Sequence, residues 1–154
     1  MACAPTPPDL GVETKKIMAL HDLQQKYHLE KMASEFAALM SEHFISVNRG
    51  KVTTPTYVEN KERFQKYFDA VEFVKWEDTE APIIRFSDDA TVAYTVVQKE
   101  VVTRYAYEGV PPTEESTHFS WVAIYRKIKG EWAIDCVAST NLEPETTPLA
   151  TEPD

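Results

Sequence analysis

The sequence FSWVAIYRKIKGEWAI, residues 119–134, decides the fold. Two runs rich in aromatic and β-branched residues flank the short segment Lys-Ile-Lys-Gly at residues 127–130. Such runs favour strands, and a glycine in a short segment between two strands is typical of a hairpin turn. The sequence therefore predicts two antiparallel strands, over residues 115–128 and 131–140.

The first of these two strands is apolar on both of its faces. Alternate residues of a strand share a face. The two faces carry, respectively, Phe119, Trp121, Ala123 and Tyr125, and Ser120, Val122, Ile124 and Ile128. Helices can cover only one face, and the other would leave an apolar patch larger than soluble monomers usually expose. We therefore predict a homodimer joined through the outer face of the sheet, and a loop such as residues 107–115 folded over that face is the alternative.

Upstream of this hairpin, helices come first and strands follow. The predicted elements are helices over residues 13–27, 30–41 and 58–68, and strands over residues 43–48, 71–77, 83–86 and 91–107. Helices grouped ahead of a run of antiparallel strands indicate an α+β fold. We expect a curved antiparallel sheet of about five to six strands, wrapped around the three helices of the N-terminal half as a cone with a central pocket.

The two ends of the chain differ from its middle in composition. Residues 1–12 are rich in proline and residues 143–154 are acidic, and neither end can bury enough apolar surface to offset its chain entropy. We therefore expect one ordered domain over residues 13–142, between a disordered head and a disordered tail. Cys3, followed by Ala-Pro-Thr-Pro-Pro, is typical of the start of a mature bacterial lipoprotein. Two localisations therefore stay open: the cytoplasm, or the periplasm or outer surface through a lipid on Cys3.

Composition excludes several classes of partner. The 154 residues include 25 acidic and 16 basic side chains, a formal net charge of -9. Such a surface repels phosphate backbones, so we expect no nucleic-acid partner. No stretch approaches the ~20 apolar residues of a membrane span, so we expect none. The four glycines and two cysteines lack the spacing of a phosphate-binding loop or a metal site, and we predict neither a cofactor nor a metal.

Three segments carry a resemblance to a known fold. They are SEHFISVN at residues 41–48, SDDATVA at residues 87–93, and residues 121–134 with their Gly-x-Trp-x-Ile step. Their order resembles the first strand, the turn before a long central strand, and the closing hairpin of the nuclear transport factor 2-like superfamily. The resemblance covers about residues 13–141 and is to a poorly characterised bacterial branch. It implies a cone that hosts ketosteroid isomerases, polyketide cyclases and limonene epoxide hydrolases, as well as binders and dimerisation modules.

The resemblance also shows where isomerase residues would stand. The position of the aspartate base falls on Asn48, whose amide cannot remove a proton from carbon, and the position of the helical tyrosine falls on Gln24. The late strand at residues 119–125 offers no carboxylate. Many relatives place a histidine beyond the Gly-x-Trp-x-Ile step, where this chain has Cys136 and Ala138. We therefore expect the isomerase machinery to be absent and assign no residue a catalytic role.

Three classes of function remain open. The leading hypothesis is a binding cone whose pocket holds a small apolar or amphipathic molecule. The alternatives are a general acid–base enzyme of the isomerase, lyase or epoxide-hydrolase type in the same pocket, and an interaction module with a filled cone. A buried carboxylate or histidine with a partner inside the cone would favour the enzyme. The predicted pocket-lining residues are Gln24, His28, Asn48, Trp76, Trp121, Tyr125, Trp132 and Cys136.

Two orientations are also predicted. His21, Gln24 and His28 share one side of the first helix, which we interpret as a solvated face, with a polar pocket wall or a pair of metal ligands as the alternatives. Alternation on the last strand predicts which residues face the helices and which face away. The inward set is Trp132, Ile134, Cys136 and Ala138, and the outward set is Ala133, Asp135, Val137 and Ser139.

Overall fold

This computed structural model describes residues 6–150, which form three helices and eight strands. The helices follow the helical spacing of apolar residues in the first half of the chain, and the long strands follow the alternation in the second half. The helices are α1 (Leu10–Leu29), α2 (Ala33–Ala38) and α3 (Tyr57–Ala70). The strands are β1 (Met40–Asn48), β2 (Lys51–Thr53), β3 (Glu72–Asp78), β4 (Ile83–Phe86), β5 (Val92–Tyr105), β6 (Thr113–Ile128), β7 (Glu131–Asn141) and β8 (Glu145–Pro148). The predicted α+β class is confirmed.

Two of the helices begin at side-chain caps. The Asp9 carboxylate accepts a hydrogen bond from the Val12 N–H at 3.2 Å, so α1 begins at Leu10, about one turn before the predicted start. Thr56 and Glu59 cap the start of α3 reciprocally, each side chain accepting from the other's backbone N–H. Among residues 6–150, no helix is both long enough and apolar enough to cross a membrane.

The eight strands form one mixed sheet that does not close on itself. Its central order is β2-β1-β7-β6-β5-β3, with β4 beside β5 and β8 beside β6. β1 runs parallel to β7, whereas the other pairs are antiparallel. The prediction of an antiparallel sheet is therefore wrong at this one seam, because no turn joins β1 to β7 and the chain between them permits either direction. The strand count exceeds five to six because the short strands β2 and β8 also pair at the edges.

The acidic tail is ordered where it meets the sheet. Glu145–Pro148 forms β8 and pairs with residues 113–116 of β6, although all four of its side chains are exposed. The expectation of disorder from residue 143 considered apolar burial alone, and this strand is held by backbone hydrogen bonds instead. Residues 1–5 and 151–154 lie outside the described residues, so the interpretation of Cys3 as a lipid anchor falls on a part of the chain that the structure does not describe.

A bulge interrupts the alternation of β7. Tyr125 of β6 pairs with Ile134, but the preceding residue, Ile124, pairs with Cys136, so the register skips Asp135. A one-residue shift of this kind moves every later side chain to the opposite face of the strand.

The bulge divides the prediction for the last strand into a correct half and a wrong half. Before the bulge, Trp132 and Ile134 are buried against the helices as predicted. Beyond it, Val137 lies in register with the buried Ala123 on the inner face, and Cys136 does not. Cys136 and Ala138, predicted to face the helices, therefore lie on the outer face. Val137 and Ser139, predicted to face away, lie on the inner face.

Two apolar clusters fill the space between the helices and the sheet. The larger joins Ile17 of α1 to Tyr125 and Ile134 of the closing hairpin. The smaller lies between α2 and α3 and contains Phe36 and Phe68. All of these side chains are less than one tenth exposed, so the helices are held on one face of the sheet by apolar burial.

Polar contacts hold the start of α1 on the β6–β7 hairpin. The indole Nε1–H of Trp132 donates to Glu13 Oε2 at 2.6 Å, and Lys127 Nζ lies 2.9 Å from Glu13 Oε1. Hydrogen bonds from Lys127 and Trp132 lower the pKa of Glu13 to about 2. Trp132, predicted to line a pocket, therefore helps to anchor the start of the first helix on the β6–β7 hairpin.

Candidate functional site

A row of polar side chains on α1 lies inside the fold. His21, Gln24 and His28 are 2%, 4% and 7% exposed. The interpretation of this row as a solvated helix face is therefore wrong. Ile17 is anchored in the larger apolar cluster, and residues at helical spacing after it share its side of the helix. The same packing that buries Ile17 therefore buries the polar row.

The first of these side chains, His21, contacts Asp78, which in turn contacts Lys99. The His21 Nε2–H donates to Asp78 Oδ2 at 2.7 Å, and Lys99 Nζ forms an ion pair with Asp78 Oδ1 at 2.8 Å. The Lys99 side chain is completely buried. Burial opposes ionisation of Asp78, but its contacts with Lys99 and His21 outweigh burial and lower its pKa. Burial lowers the pKa of Lys99, and Asp78 opposes this shift only in part.

Trp76 connects these charged residues to the smaller apolar cluster. Lys99 Nζ lies 3.7 Å from the centroid of the Trp76 ring and 5.9 Å from that of Trp121, a cation–π arrangement. His28 stacks on Trp76 with 4.3 Å between ring centroids, and its Nδ1–H donates to the Gln24 carbonyl at 2.7 Å. Burial lowers the pKa of His28 to about 4, so this imidazole is neutral near pH 7.

A second polar contact joins the helix to the sheet. The Gln24 Nε2–H donates to the Tyr125 hydroxyl at 2.9 Å, and the Tyr125 side chain is fully buried. Burial raises the pKa of Tyr125 to about 12, so the phenol stays protonated and is available as a hydrogen-bond donor.

Several polar atoms in this interior lack a hydrogen-bond partner among residues 6–150. They are His21 Nδ1, Asp78 Oδ1, Thr95 Oγ1 and Lys99 Nζ. Asp78 Oδ1 and Lys99 Nζ face each other as an ion pair, whereas the other two have no polar contact of that kind. An unsatisfied buried polar group costs about 1–3 kcal/mol, so a cluster of them marks a place where a further polar molecule is favoured.

Five of the eight predicted pocket-lining residues come together around this cluster: Gln24, His28, Trp76, Trp121 and Tyr125. The other three do not join them. Asn48 ends β1 and is exposed, Trp132 lies beside Glu13 at the start of α1, and Cys136 lies on the outer face in register with Ile124. The aromatic and helical members of the predicted set are thus neighbours in the structure, and their role in lining a pocket stays a prediction.

Asp78 and Lys99 were not predicted as site residues. Lys99 falls at an inward position of β5, where the alternate residues Ala93, Thr95 and Val97 are also buried. A lysine in the buried set of an alternating strand is a signal that the sequence contained, because lysine is almost never fully buried without a partner. Asp135, predicted to face away from the helices, accepts a hydrogen bond from Ser41 Oγ at 2.7 Å at the bulge.

Two depressions lie beside this interior. A depression of about 450 Å³ lies beside the ends of β3 and β7 and the middle of β5 and β6, and its lining includes Thr79, Lys99, Phe119 and Leu142. Because the Lys99 side chain has no accessible surface, the depression meets the backbone of that residue and stops short of its ammonium group. Within residues 6–150, no three His, Cys, Asp or Glu side chains converge in a metal-binding arrangement.

Comparisons with known proteins identify the fold. No protein-family profile and no curated protein matches the chain. A candidate scytalone dehydratase from Novosphingobium aromaticivorans DSM 12444 superposes with a TM-score of 0.69 at 16% identity, over 92% of this chain and 90% of that one. A nuclear transport factor 2-like protein from Cytophaga hutchinsonii ATCC 33406 superposes with a TM-score of 0.64 at 11% identity, over 82% of this chain and 95% of that one. A candidate calcium/calmodulin-dependent kinase II association domain from Exiguobacterium sibiricum 255-15 superposes with a TM-score of 0.63 at 15% identity, over 94% of this chain and 100% of that one.

The sheet, the helices and the inward polar row together define a cone-shaped α+β domain with a charged interior. The chain has the nuclear transport factor 2-like cone fold, as the three sequence segments predicted. Identities this low show the fold alone, so activity has to be argued from the residues of this chain.

Acid should destabilise the fold through His28. Its pKa is about 4 in the folded protein against an ordinary value of 6.5, so the unfolded chain binds the proton more readily. The contribution of His28 to the free energy of unfolding is therefore fully present above pH 6.5 and is lost as the pH falls toward about 4. We expect the urea midpoint to fall across this window. The His28→Phe variant, which keeps an aromatic ring, should lose that slope between pH 6.5 and 4.5, and an equal slope in both proteins would contradict the assignment.

Proposed function

We propose that this chain is a binding domain for a small amphipathic molecule, held in the interior of the cone. The observation that carries the proposal is the set of buried polar atoms without hydrogen-bond partners near the indole of Trp121. Lys99 Nζ and His21 Nδ1 offer polar contacts, while Trp121 offers flat apolar surface. The Trp76 ring is already in contact with His28 and Lys99. Ligand sites in proteins combine predominantly apolar walls with a few oriented polar groups, and this interior has both.

The charges of the interior favour a ligand with a polar, electron-rich end. Asp78 balances the charge of Lys99, but an ammonium group has three donors and a single carboxylate contact leaves donors free. The Tyr125 hydroxyl and Thr95 Oγ1 lie on the same inner face of the sheet. A planar ligand with an oxygen at one end would match this arrangement, with its apolar part against the indole of Trp121.

Binding can be tested with 8-anilino-1-naphthalenesulfonate, a planar aromatic anion. We expect saturable binding with energy transfer from tryptophan, and affinity about two- to tenfold weaker in Trp121→Leu, because an aromatic contact is worth about 0.5–1.5 kcal/mol. Tyr107→Leu removes an exposed aromatic side chain and should leave the affinity unchanged. Circular dichroism should confirm that each variant is folded. The absence of saturable binding would contradict the proposal and favour an interaction module with a filled cone.

A second candidate function, general acid–base catalysis, rests on a separate observation. Asp78 accepts the Nε2–H of His21, so in the neutral ring the other nitrogen, Nδ1, carries a lone pair and is buried without a partner among residues 6–150. A carboxylate that orients an imidazole in this way prepares the free nitrogen to take a proton. Lys99, which contacts the other oxygen of the same carboxylate, would stabilise the enolate formed from a carbonyl compound.

This catalysis predicts hydrogen exchange at carbon. With 1-indanone as a probe ketone in D2O, nuclear magnetic resonance should show loss of the α-proton signal catalysed by the protein. His21→Gln should slow the exchange about 100-fold or more, the usual contribution of a general base. His43→Gln alters an exposed histidine of β1, away from the depression, and serves as the matched control. Equal exchange rates in the two variants would contradict a role for His21.

The outer face of the sheet supports a proposal about assembly. Its exposed apolar side chains are Ile83, Val92, Tyr94, Val122, Ile124 and Ile128. A shallow depression of about 300 Å³ on this face is bordered by Val47, Val96 and Val122. We propose that a second copy covers this face, since a stable interface needs about 800 Å² from each partner and this face is the broad apolar surface of the described residues. One structurally similar protein is named as an association domain, which agrees with such an assembly.

Light scattering on the purified protein at micromolar concentration tests the dimer. The mass should be twice the 17.6 kDa of one chain. Ile124→Glu should give monomers because it buries a charge in the interface, whereas Tyr125, its neighbour, points inward and is unsuited to the test. Val58→Glu, at an exposed apolar site on α3, should remain dimeric. A wild-type mass of 17.6 kDa that does not rise with concentration would contradict the dimer.

A further inference from the structure

Lys99 is the most buried charged residue among residues 6–150. It is 1% exposed, it projects from the inner face of β5, and its ammonium group contacts Asp78 and Trp76. We propose that Lys99 is a covalent site, whose Nζ forms an imine with the aldehyde or ketone group of a planar, largely apolar ligand. This inference rests on the proposed binding function and deepens it, because it names the reactive group of the ligand.

The surroundings of Lys99 favour the amine that this chemistry needs. Only the neutral amine of lysine attacks a carbonyl carbon, and removal from water favours that form. Burial lowers the pKa of Lys99, and the carboxylate of Asp78 only partly opposes the shift. Lys75 provides the contrast, because it pairs with Glu100 between the same two strands. Its side chain is 37% exposed, and the hydrogen bond to Glu100 raises its pKa.

Asp78 is placed to move the proton that the reaction requires. Its Oδ1 lies 2.8 Å from Nζ, so it can take one proton from the ammonium group and leave the free amine. The amine then adds to the carbonyl carbon, and the amine proton passes to the oxygen to give a carbinolamine. Protonated Asp78 returns its proton to the hydroxyl, water leaves, and a protonated imine forms. The net change is carbonyl compound plus ammonium giving iminium plus water, with no oxidant or reductant.

The charge of the interior is the same before and after this reaction. The iminium carries the positive charge of the ammonium it replaces, at the same nitrogen. The contact with Asp78 and the 3.7 Å contact with the Trp76 ring centroid, which stabilise the ammonium, therefore also stabilise the product. Reaction at a lysine with no such partners would gain none of this stabilisation.

His21 has a positioning role in this scheme. Its Nε2–H donates to Asp78 Oδ2 at 2.7 Å and fixes the carboxylate so that the other oxygen faces Lys99. The ligand would approach from the depression of about 450 Å³, which borders Phe119 and the backbone of Lys99, and the side chains between it and the ammonium group would have to move aside. Phe119 and Trp121 are two residues apart on β6, on the inner face, and add flat apolar surface along that approach.

Reductive trapping tests the inference on the full chain. The protein is incubated with 2-naphthaldehyde, a planar apolar aldehyde, and sodium cyanoborohydride at pH 7, and the labelled residues are located by peptide mass spectrometry. We expect label at Lys99 to exceed label at Lys75 about tenfold or more at early times, because desolvation activates a lysine amine. Lys99→Arg keeps the charge beside Asp78, cannot form the imine and should lose the rapid label, whereas Lys75→Met should retain it.

The outcomes separate this inference from the binding function. Non-covalent binding is measured first, without reductant, by quenching of tryptophan fluorescence. If 2-naphthaldehyde binds but label appears only on exposed lysines, the imine is overturned and the binding function stands. If 2-naphthaldehyde neither binds nor labels Lys99, both are overturned. Mapping of the wild-type protein decides between these outcomes even if the Lys99→Arg variant does not fold.

Discussion

Asp78, a partly exposed carboxylate, is held between partners from two other elements and keeps the charge of the buried Lys99 paired. A buried charge without a partner would cost several kcal/mol, and removal of one partner from such a pair is commonly more damaging than replacement of the whole pair. His21 reaches the Asp78 carboxylate from α1 and Lys99 reaches it from β5, while Asp78 itself ends β3. The first helix, an edge strand and a central strand are thus held at one point, and the stacked His28 and Trp76 follow from that alignment.

Most of the secondary structure could be predicted from the sequence, because the interactions that determine it act between residues close together in the chain. The caps, the hairpin turn and the helical spacing act within a few residues, and these features placed three helices and six strands in the correct order. The errors arise where distant segments meet. β1 joins β7 in parallel, and the bulge at Asp135 reverses the faces of the last strand. Neither feature leaves a periodic signal, because a bulge breaks the alternation by which faces are inferred.

The site was predictable in its aromatic part and not in its charged part. Trp76, Trp121 and Tyr125 fall on strands whose inner face follows from alternation, so their convergence could be anticipated. The pairing of Asp78 with Lys99 and His21 depends on which strands and helix become neighbours, and a single sequence does not state this. His21 shows the difficulty, because the same polar spacing describes a solvated helix face and a buried row until the packing of Ile17 is known.

The parallel seam between β1 and β7 determines when the fold can be completed. Ser41 and Asp135, which hydrogen bond across it, are 94 residues apart, and Glu13 is 119 residues from its partner Trp132. Contacts of such long sequence separation slow folding, because the chain entropy of a large loop is lost before the contact forms. On the ribosome, α1 and β1 therefore emerge long before the strand that receives them. The nascent chain has to carry its first helix, with the face that is later buried still uncovered, until the closing hairpin has been synthesised.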